Sequence, residues 1–517
     1  MRQTPGRAVL ASAIIAATSL LAAACSETGG SGEDTTTSAP TPSAPDAPEG
    51  PGGPQERGPQ EQGQPAEEPP EPAWILQVGT AADDELTSVA GRDDEVLAVG
   101  STAGDLSGGS AGGADSLTLV ADVEGTVVST TQAGGDGDDL PNAVGNGSNS
   151  IDGDVSLTCG STTSDLAGPN AGSTDAWCGR IGGAALESVH QQGSPGDDTL
   201  ASVAIEAEAT IGTTSAVGYA VGSTAGLFPG AADTSAGVLG NGDAMLWQLD
   251  ADGFPIWIRQ LGTESADSGH GAAVTPDGDA VMVGRTAGSL DGASNGGTDA
   301  FVTRFDPDGL PRWTLQFGSA AEDWADAVAA GGEPARGTET IVAVGGTTGA
   351  LAPVLGADIT SPLDAPRADG GEPAAGNAGG TDVLLGAFDS TGDATWTAQL
   401  GSTGEESAAA VAIDGRTVLV AGTTTGALAT NGDPAAGGGD GFLAALDRDT
   451  GTLRWVTQFG SEADERVTGL TLTETGLVVV SGSTMGQMGE DPTAGGMDGF
   501  LIAFPLPTAG GAVASAL

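Results

Sequence analysis

The chain has no lysine. All fifteen of its basic residues are arginine, set against seventy aspartates and glutamates, so the formal net charge is -55 over 517 residues. Nucleic acid and anionic lipid surfaces are therefore poor partners, since both repel so acidic a chain. The same lack removes Schiff-base chemistry and any phosphate loop that ends on lysine. Histidine occurs twice, as His190 and His270, tyrosine once, as Tyr219, and cysteine three times. That is too few soft ligands for a zinc site once one cysteine is committed elsewhere. Aromatic residues are only 4%, while glycine numbers 88. Bulky residues for helical cores are scarce, and short strands with many turns fit the balance.

What is present begins with an address. Arg2 and Arg7 flank the start of AVLASAIIAATSLL, residues 8 to 21, a run too short to span a bilayer but the length of a signal h-region. LAAAC, residues 21 to 25, resembles the lipobox of bacterial lipoproteins, with Ala22 where leucine is commoner and Leu21 one place upstream. The resemblance implies cleavage before Cys25, acylation of its thiol, and a chain tethered to the outer face of the cytoplasmic membrane or the cell surface. Cleavage as a plain signal peptide is the alternative. The Pro-, Gly-, Ser-, Thr- and Glu-rich stretch that follows offers nothing to bury. The expected division is a signal peptide at 1–24, a disordered linker at 25–73, a repeat domain at 74–504 and a tail at 505–517.

The repeat is anchored on Gln-x-Gly. Units start three residues before that glutamine, at Trp74, Ser129, Ser188, Trp257, Trp313, Trp396 and Trp455. In the fourth unit WIRQLG alternates like a strand, and HGAAVTPDGDAVMVGRT reads as a hairpin around Pro-Asp-Gly. DAFVTRFDPDGLPRWTLQFG reads as another. Four antiparallel strands in each of seven units is the arithmetic of an all-β, seven-bladed propeller. The motifs W-x-x-Q-[FLV]-G, V-x-V-G-x-T-x-G and G-G-x-D-x-F, in that order over residues 74 to about 504, resemble the SBBP repeats of bacterial seven-bladed β-propellers. That family implies a fold and no reaction. The first unit opens with a spare tryptophan strand, and the last ends at GMDGFLIAF without one. Pairing Trp74–Val78 with Phe500–Phe504 in the last blade would close the ring.

Three cysteines minus a lipid anchor leave Cys159 and Cys178, which fall on neighbouring strands of one blade. A disulfide is expected there, with two buried thiols as the alternative. Each Gln-x-Gly is followed by acids: Asp83 with Asp84, Asp138 with Asp139, Asp197 with Asp198, Glu264 with Asp267, Glu322 with Asp323, Glu405 with Glu406, and Asp464 with Glu465. Cyclic geometry would gather these fourteen carboxylates on one face with the glycine-rich loops and the insert at 351–380. Such a ring invites a hard cation, calcium above all, or a basic partner. The competing reading is turn capping on a salt-adapted surface.

The acid of G-G-x-D recurs as Asp115, Asp175, Asp243, Asp299, Asp382, Asp440 and Asp498, a repetition that argues for fixing turns rather than for catalysis. Asp250-x-Asp252-Gly253 and Asp306-x-Asp308-Gly309 look like pieces of a calcium loop but lack its glutamate. GGSAG (108–112) and GASNG (292–296) fit G-x-S-x-G without a strand-to-helix elbow. His190 falls on an outer strand, and His270 enters an inner strand beside the acidic loop. LDRDTGTLRW (446–455) is similar to the tryptophan-docking segment of quinoprotein-type propellers, which would imply a quinone-dependent dehydrogenase.

No catalytic residue is assigned, and no cofactor beyond calcium. The chain is expected to be a monomeric, envelope-tethered module that binds or scaffolds a protein or glycan, not nucleic acid. A hydrolase or lyase acting on extracellular carbohydrate is the alternative. It would need an acid out of register with the sevenfold pattern, and Trp247 and Trp324 stand out as aromatic departures.

Overall fold

In this computed structural model the described residues are 68–506, apart from 109–110, 150–152, 207, 210–215, 234–239, 241, 292–293, 295, 334–335, 352–378, 429–436 and 490–494. Cys25, most of the linker, most of the tail and nearly all of the 351–380 insert lie outside them, as do parts of GGSAG and GASNG. The described residues belong to one compact unit, Pro65–Leu517.

Runs of β-branched and small residues between glycine turns form the strands, and successive strands pair antiparallel. In the first blade these are Asp84–Arg92, Glu95–Thr102, Asp115–Asp122 and Val127–Ala133, in chain order from inside to outside. Seven such sheets occur among the described residues. Their innermost strands are Asp84–Arg92, Asp139–Asn149, Asp198–Ile205, Asp267–Val274, Asp323–Gly331, Glu406–Asp414 and Glu465–Leu472. Each packs on the next, and the last returns to the first. The protein is a seven-bladed β-propeller.

The ring closes as the repeat arithmetic requires. Trp74–Val78 is the outermost strand of the seventh blade, running antiparallel to Asp498–Pro505 with Trp74 opposite Ala503 and Val78 opposite Gly499. Two additional two-residue strands escape the four-strand count. Glu208–Ala209 runs parallel to Ser148–Asn149, and Ala232–Asp233 parallel to Arg259–Gln260. Both sit in stretches where the third unit is longer than its neighbours, and two residues carry no period to read.

The core lies between blades. The third strand of each blade is buried on both faces, as in Asp299–Phe305. Val283 and Val302 of the fourth blade pack with Val328, Ile341 and Phe388 of the fifth. Cys159 and Cys178 face each other across the second and third strands of the second blade and form a disulfide, fully buried. Other blades fill the same two positions with Val221 and Leu246, or Val283 and Val302, so the bridge replaces an apolar cross-strand pair.

Tryptophan on the outermost strand fastens one blade to the next. Trp396 donates its indole N–H to the Arg448 carbonyl at 2.7 Å. Its ring covers Gly451, which has φ 69°, and a Cβ there would stand 2.7 Å from the ring. Glycine thus meets both the left-handed turn and the close approach. Trp74, Trp257 and Trp313 donate likewise to Val123, Pro307 and Ser390. Where Ser188 replaces tryptophan, its hydroxyl donates to the Asp252 carbonyl at 2.7 Å. The docking therefore uses Asp-Pro-Asp-Gly turns as readily as the Thr-Gly turn of LDRDTGTLRW, and it is architectural.

Candidate functional site

The recurring Gln-x-Gly is explained by its hydrogen bonds. Gln132 donates through Nε2 to Asp115 Oδ2 at 2.9 Å and to the Gly104 carbonyl at 2.9 Å, and its Oε1 accepts from Leu106 N–H at 3.1 Å. The amide thus joins the G-G-x-D aspartate, the end of one strand and the glycine-rich loop. The other six glutamines bond Asp175, Asp243, Asp299, Asp382, Asp440 and Asp498 in the same way, at 2.7 to 3.0 Å. The glycine is required because carboxylates crowd it: a Cβ on Gly134 would lie 2.1 Å from Asp115 Oδ1 and 3.0 Å from Asp139 Oδ2. The G-G-x-D aspartates are buried, and Asp115 and Asp175 also accept backbone N–H groups from their own loops, from Ala111 and Ala171 at 3.0 Å.

The acid pairs do not form a surface ring of fourteen. They split. The second acid of each pair, Asp84, Asp139, Asp198, Asp267, Asp323, Glu406 or Glu465, is buried. Each accepts the backbone N–H four residues earlier, as Asp323 does from Ser319 at 2.6 Å and Glu465 from Ser461 at 2.7 Å. Each also donates its own backbone N–H to the previous blade, as Glu465 does to Gly439. The first acids, Asp83, Asp138, Asp197, Glu264, Glu322, Glu405 and Asp464, are exposed. Asp83, Asp138 and Asp464 tie blades together by accepting from Met497, Ala114 and Gly439. In the fourth blade the matching position is Ala266, so Glu264 stands out of register. Among the described residues no three His, Cys, Asp or Glu side chains converge to hold a metal ion. Asp250 and Asp306 fold their own turns by accepting from Phe254 and Leu310 at 2.9 Å.

Burial raises the pKa values of Asp198, Asp323 and Glu406, against the opposing hydrogen bonds of Thr224, Thr347 and Ser402, and Asp175, Asp299 and Asp382 nearby push the same way. A carboxyl raised on folding binds its proton more tightly in the native state. Its contribution is then full below the unfolded carboxylate value and lost as pH rises through the folded one. Acidifying from about pH 7 to about pH 5 should therefore raise the melting temperature, helped by the falling net charge. Stronger acid works the other way at Asp447, where burial is outweighed by the Arg454 and Thr450 hydrogen bonds and the pKa is lowered. A melting temperature that falls steadily from neutrality would contradict this assignment.

With the sevenfold groups occupied in the frame, the departures from symmetry define the site. On the innermost strands buried residues largely alternate with half-buried ones. A bulge recurs in every innermost strand, leaving Thr87, Asn142, Ala201, His270, Asp326, Ala409 and Thr468 unpaired. Thr468, Thr87 and Asn142 reach the next blade and donate to the carbonyls of Leu86, Pro141 and Leu200 at 2.6 to 2.9 Å. His270 instead meets a side chain of the next blade, Asp326, with Nδ1 to Oδ1 at 2.8 Å. Its Nε2 lies 2.9 Å from Ser268 Oγ, and Arg285 Nε donates to the same Oγ at 3.3 Å. Trp324 donates its indole N–H to Asp326 Oδ2 at 2.8 Å. Ser268 and Arg285 line a recess of about 640 Å³ over the second to fourth blades, with Thr199, Ser223, Asp197 and Thr298.

No protein-family profile matches the chain. A segment of 196 residues is 28% identical to the regulatory protein FlaEY of Caulobacter vibrioides, covering 35% of this chain and 18% of that protein. The chain thus spans less than a fifth of that relative's length. Among solved structures, the β-propeller domain of the Trilobed protease from Pyrococcus furiosus is similar at 9% identity and a TM-score of 0.38, over 81% of this chain and 95% of that domain. Sqt1 from Chaetomium thermophilum is similar at 12% identity and the same TM-score, over 81% and 87%. At these values the likeness says nothing of ligand or activity.

Sequence reading singled out His270 but missed its partners. Ser268 and Asp326 are common residue types. The signal that could have found Asp326 is register, since it stands where other units carry Thr87, Asn142 or Thr468; Ser268 stands where they carry Glu85, Leu140, Thr199, Trp324, Ser407 or Arg466, so only its pairing with His270 sets it apart. His190 is structural, stacked near Phe254 and Trp247 with ring centroids 5.0 and 6.3 Å away. Trp247 is wholly buried and offers no platform.

Proposed function

We propose that the protein is an envelope-tethered binding module built from SBBP-type repeats, anchored through Cys25 and held off the membrane by its linker. The observation that carries the binding reading is the gathering of asymmetric side chains, Arg285, Trp324, His270 and Asp326, in one hydrogen-bonded chain that reaches the recess through Ser268. The other five blades repeat the same internally bonded frame, which leaves little there to discriminate a ligand. The shared segment with a protein named as regulatory is in keeping with a role in recognition, and the lipobox-like LAAAC supports the tether. A recess walled by Arg285, Thr199, Ser223 and Thr298, with the half-buried Trp324 fixed on Asp326 of the neighbouring blade, suits a glycan or a short peptide.

The test is an array of glycans and peptides probed with the full chain and with two variants. Arg285→Ala should lose a binder that the wild type holds. Leu310→Ser, at an exposed turn on the opposite end of the fourth blade, should keep it. A binder held equally by Arg285→Ala would move the site away from the recess, and the absence of any binder would contradict the reading.

A further inference from the structure

The geometry points to a second property of the same mouth: Ser268, His270 and Asp326 form a nucleophile, base and orienting acid that hydrolyse a short, uncharged acyl ester. The inference goes beyond binding, which needs only the recess.

Three side chains from two blades stand in the order that acyl transfer requires. Ser268 Oγ is 2.9 Å from His270 Nε2, and His270 Nδ1 is 2.8 Å from Asp326 Oδ1. The second carboxylate oxygen is held by the Trp324 indole at 2.8 Å, which fixes the acid that orients the ring. Ser268 and His270 are two apart on one strand, so both project to one side, and the bulge at His270 turns its ring toward the next blade. Serine–histidine–carboxylate arrangements are defined by such roles and distances, not by chain order or fold. The site is open to solvent: the His270 and Asp326 side chains are 24% and 32% exposed.

A simple inter-blade latch would need none of this. Thr87, Asn142 and Thr468 hold the same junctions elsewhere with one hydroxyl or amide to a carbonyl. In the fourth blade the latch position carries an imidazole with both nitrogens engaged, a serine on the recess wall and an arginine 3.3 Å from that serine's oxygen.

The step balances as ordinary ester hydrolysis. Ser268 Oγ bonds to the acyl carbon while its proton passes to His270 Nε2. The oxyanion that forms faces the Arg285 guanidinium. The carbon–oxygen bond to the leaving alkoxide breaks, and the alkoxide takes the proton from Nε2. Water then repeats the sequence at the acyl-serine, releasing the carboxylic acid and restoring the hydroxyl. The exposed Asp197 on the recess wall disfavours anionic substrates, which leaves neutral esters.

The full chain would be treated with a fluorophosphonate probe and, separately, with p-nitrophenyl acetate. One covalent adduct is expected, located on Ser268 by peptide mass, with ester hydrolysis above the uncatalysed rate. Ser268→Ala should abolish both while melting like the wild type. His270→Gln should slow labelling by about a hundredfold or more. Asp326 is a positioning residue, and Asp326→Asn should lower kcat while KM stays unchanged. No adduct at Ser268, or labelling and hydrolysis unaffected by Ser268→Ala, would overturn the proposal. Neither result would disturb array binding that depends on Arg285, so the two readings fail separately.

Discussion

Removing residues 68–79 should abolish the cooperative melting of the propeller. The deletion takes away the outermost strand of the seventh blade, with all five of its register pairs to Asp498–Pro505. It also removes the Trp74 bond to Val123 of the first blade and the Gln77 bond to Asp498. Two junctions fail together, because Trp74–Val78 both completes the sheet of the seventh blade and docks on the first, leaving inner contacts such as Thr468 to Leu86 to hold the ring unaided. The freed edge of Asp498–Pro505, an apolar strand with unpaired backbone groups, then becomes a template for association. Calorimetry and size-exclusion chromatography should show loss of the single transition and large aggregates. A deletion variant that melts and elutes like the wild type would contradict strand closure.

Gln132→Leu should destabilise the domain by about 3 kcal/mol, a large share of ordinary domain stability. The leucine fills similar space but donates nothing to Asp115, whose carboxylate is 0% exposed. It also abandons the Gly104 carbonyl and the Leu106 N–H. The cost is that of leaving buried polar groups without partners, which exceeds the net value of the bonds when made. Gln132→Glu separates this account from a mere packing defect. It keeps the shape but sets a second carboxylate against Asp115, so it should be worse than leucine at neutral pH and recover on acidification. Denaturant melts at two pH values would show it; equal, small losses for both variants would contradict the clasp.

The fold was legible in the sequence to an unusual degree because its signal is repeated. Gln-x-Gly, G-G-x-D and the tryptophan strand each recur with their partners, and closure followed from counting strands at the two ends. The disulfide was legible because Cys159 and Cys178 occupy positions that are valine and leucine in other units. The two members of each acid pair differ in burial for a physical reason that their adjacency in sequence conceals. The second acid opens the innermost strand and is buried against the blade, whereas the first lies in the loop just before it and faces water, as Asp84 and Asp83 do, and the same holds in five other units. Glu264 breaks the pattern, since Ala266 takes the position before Asp267. The Ser268, His270 and Asp326 cluster was illegible because its members are 56 residues apart in sequence between His270 and Asp326 and meet only across a blade boundary. Repeats reveal what every unit shares, whereas a site is made of what one unit does differently.

The recurring acids serve the frame, and the proposed function lies where the repeat breaks. The direct measurement is the melting temperature of the full chain in NaCl and in sub-millimolar CaCl₂ at matched ionic strength. If the buried acids are caps and the exposed ones stand singly, bulk salt raises the melting temperature by screening the net charge of -55, and calcium adds nothing beyond its ionic strength. A rise specific to calcium that NaCl cannot reproduce would mean that the acids bind a cation in the native state, and the account would be wrong at its centre.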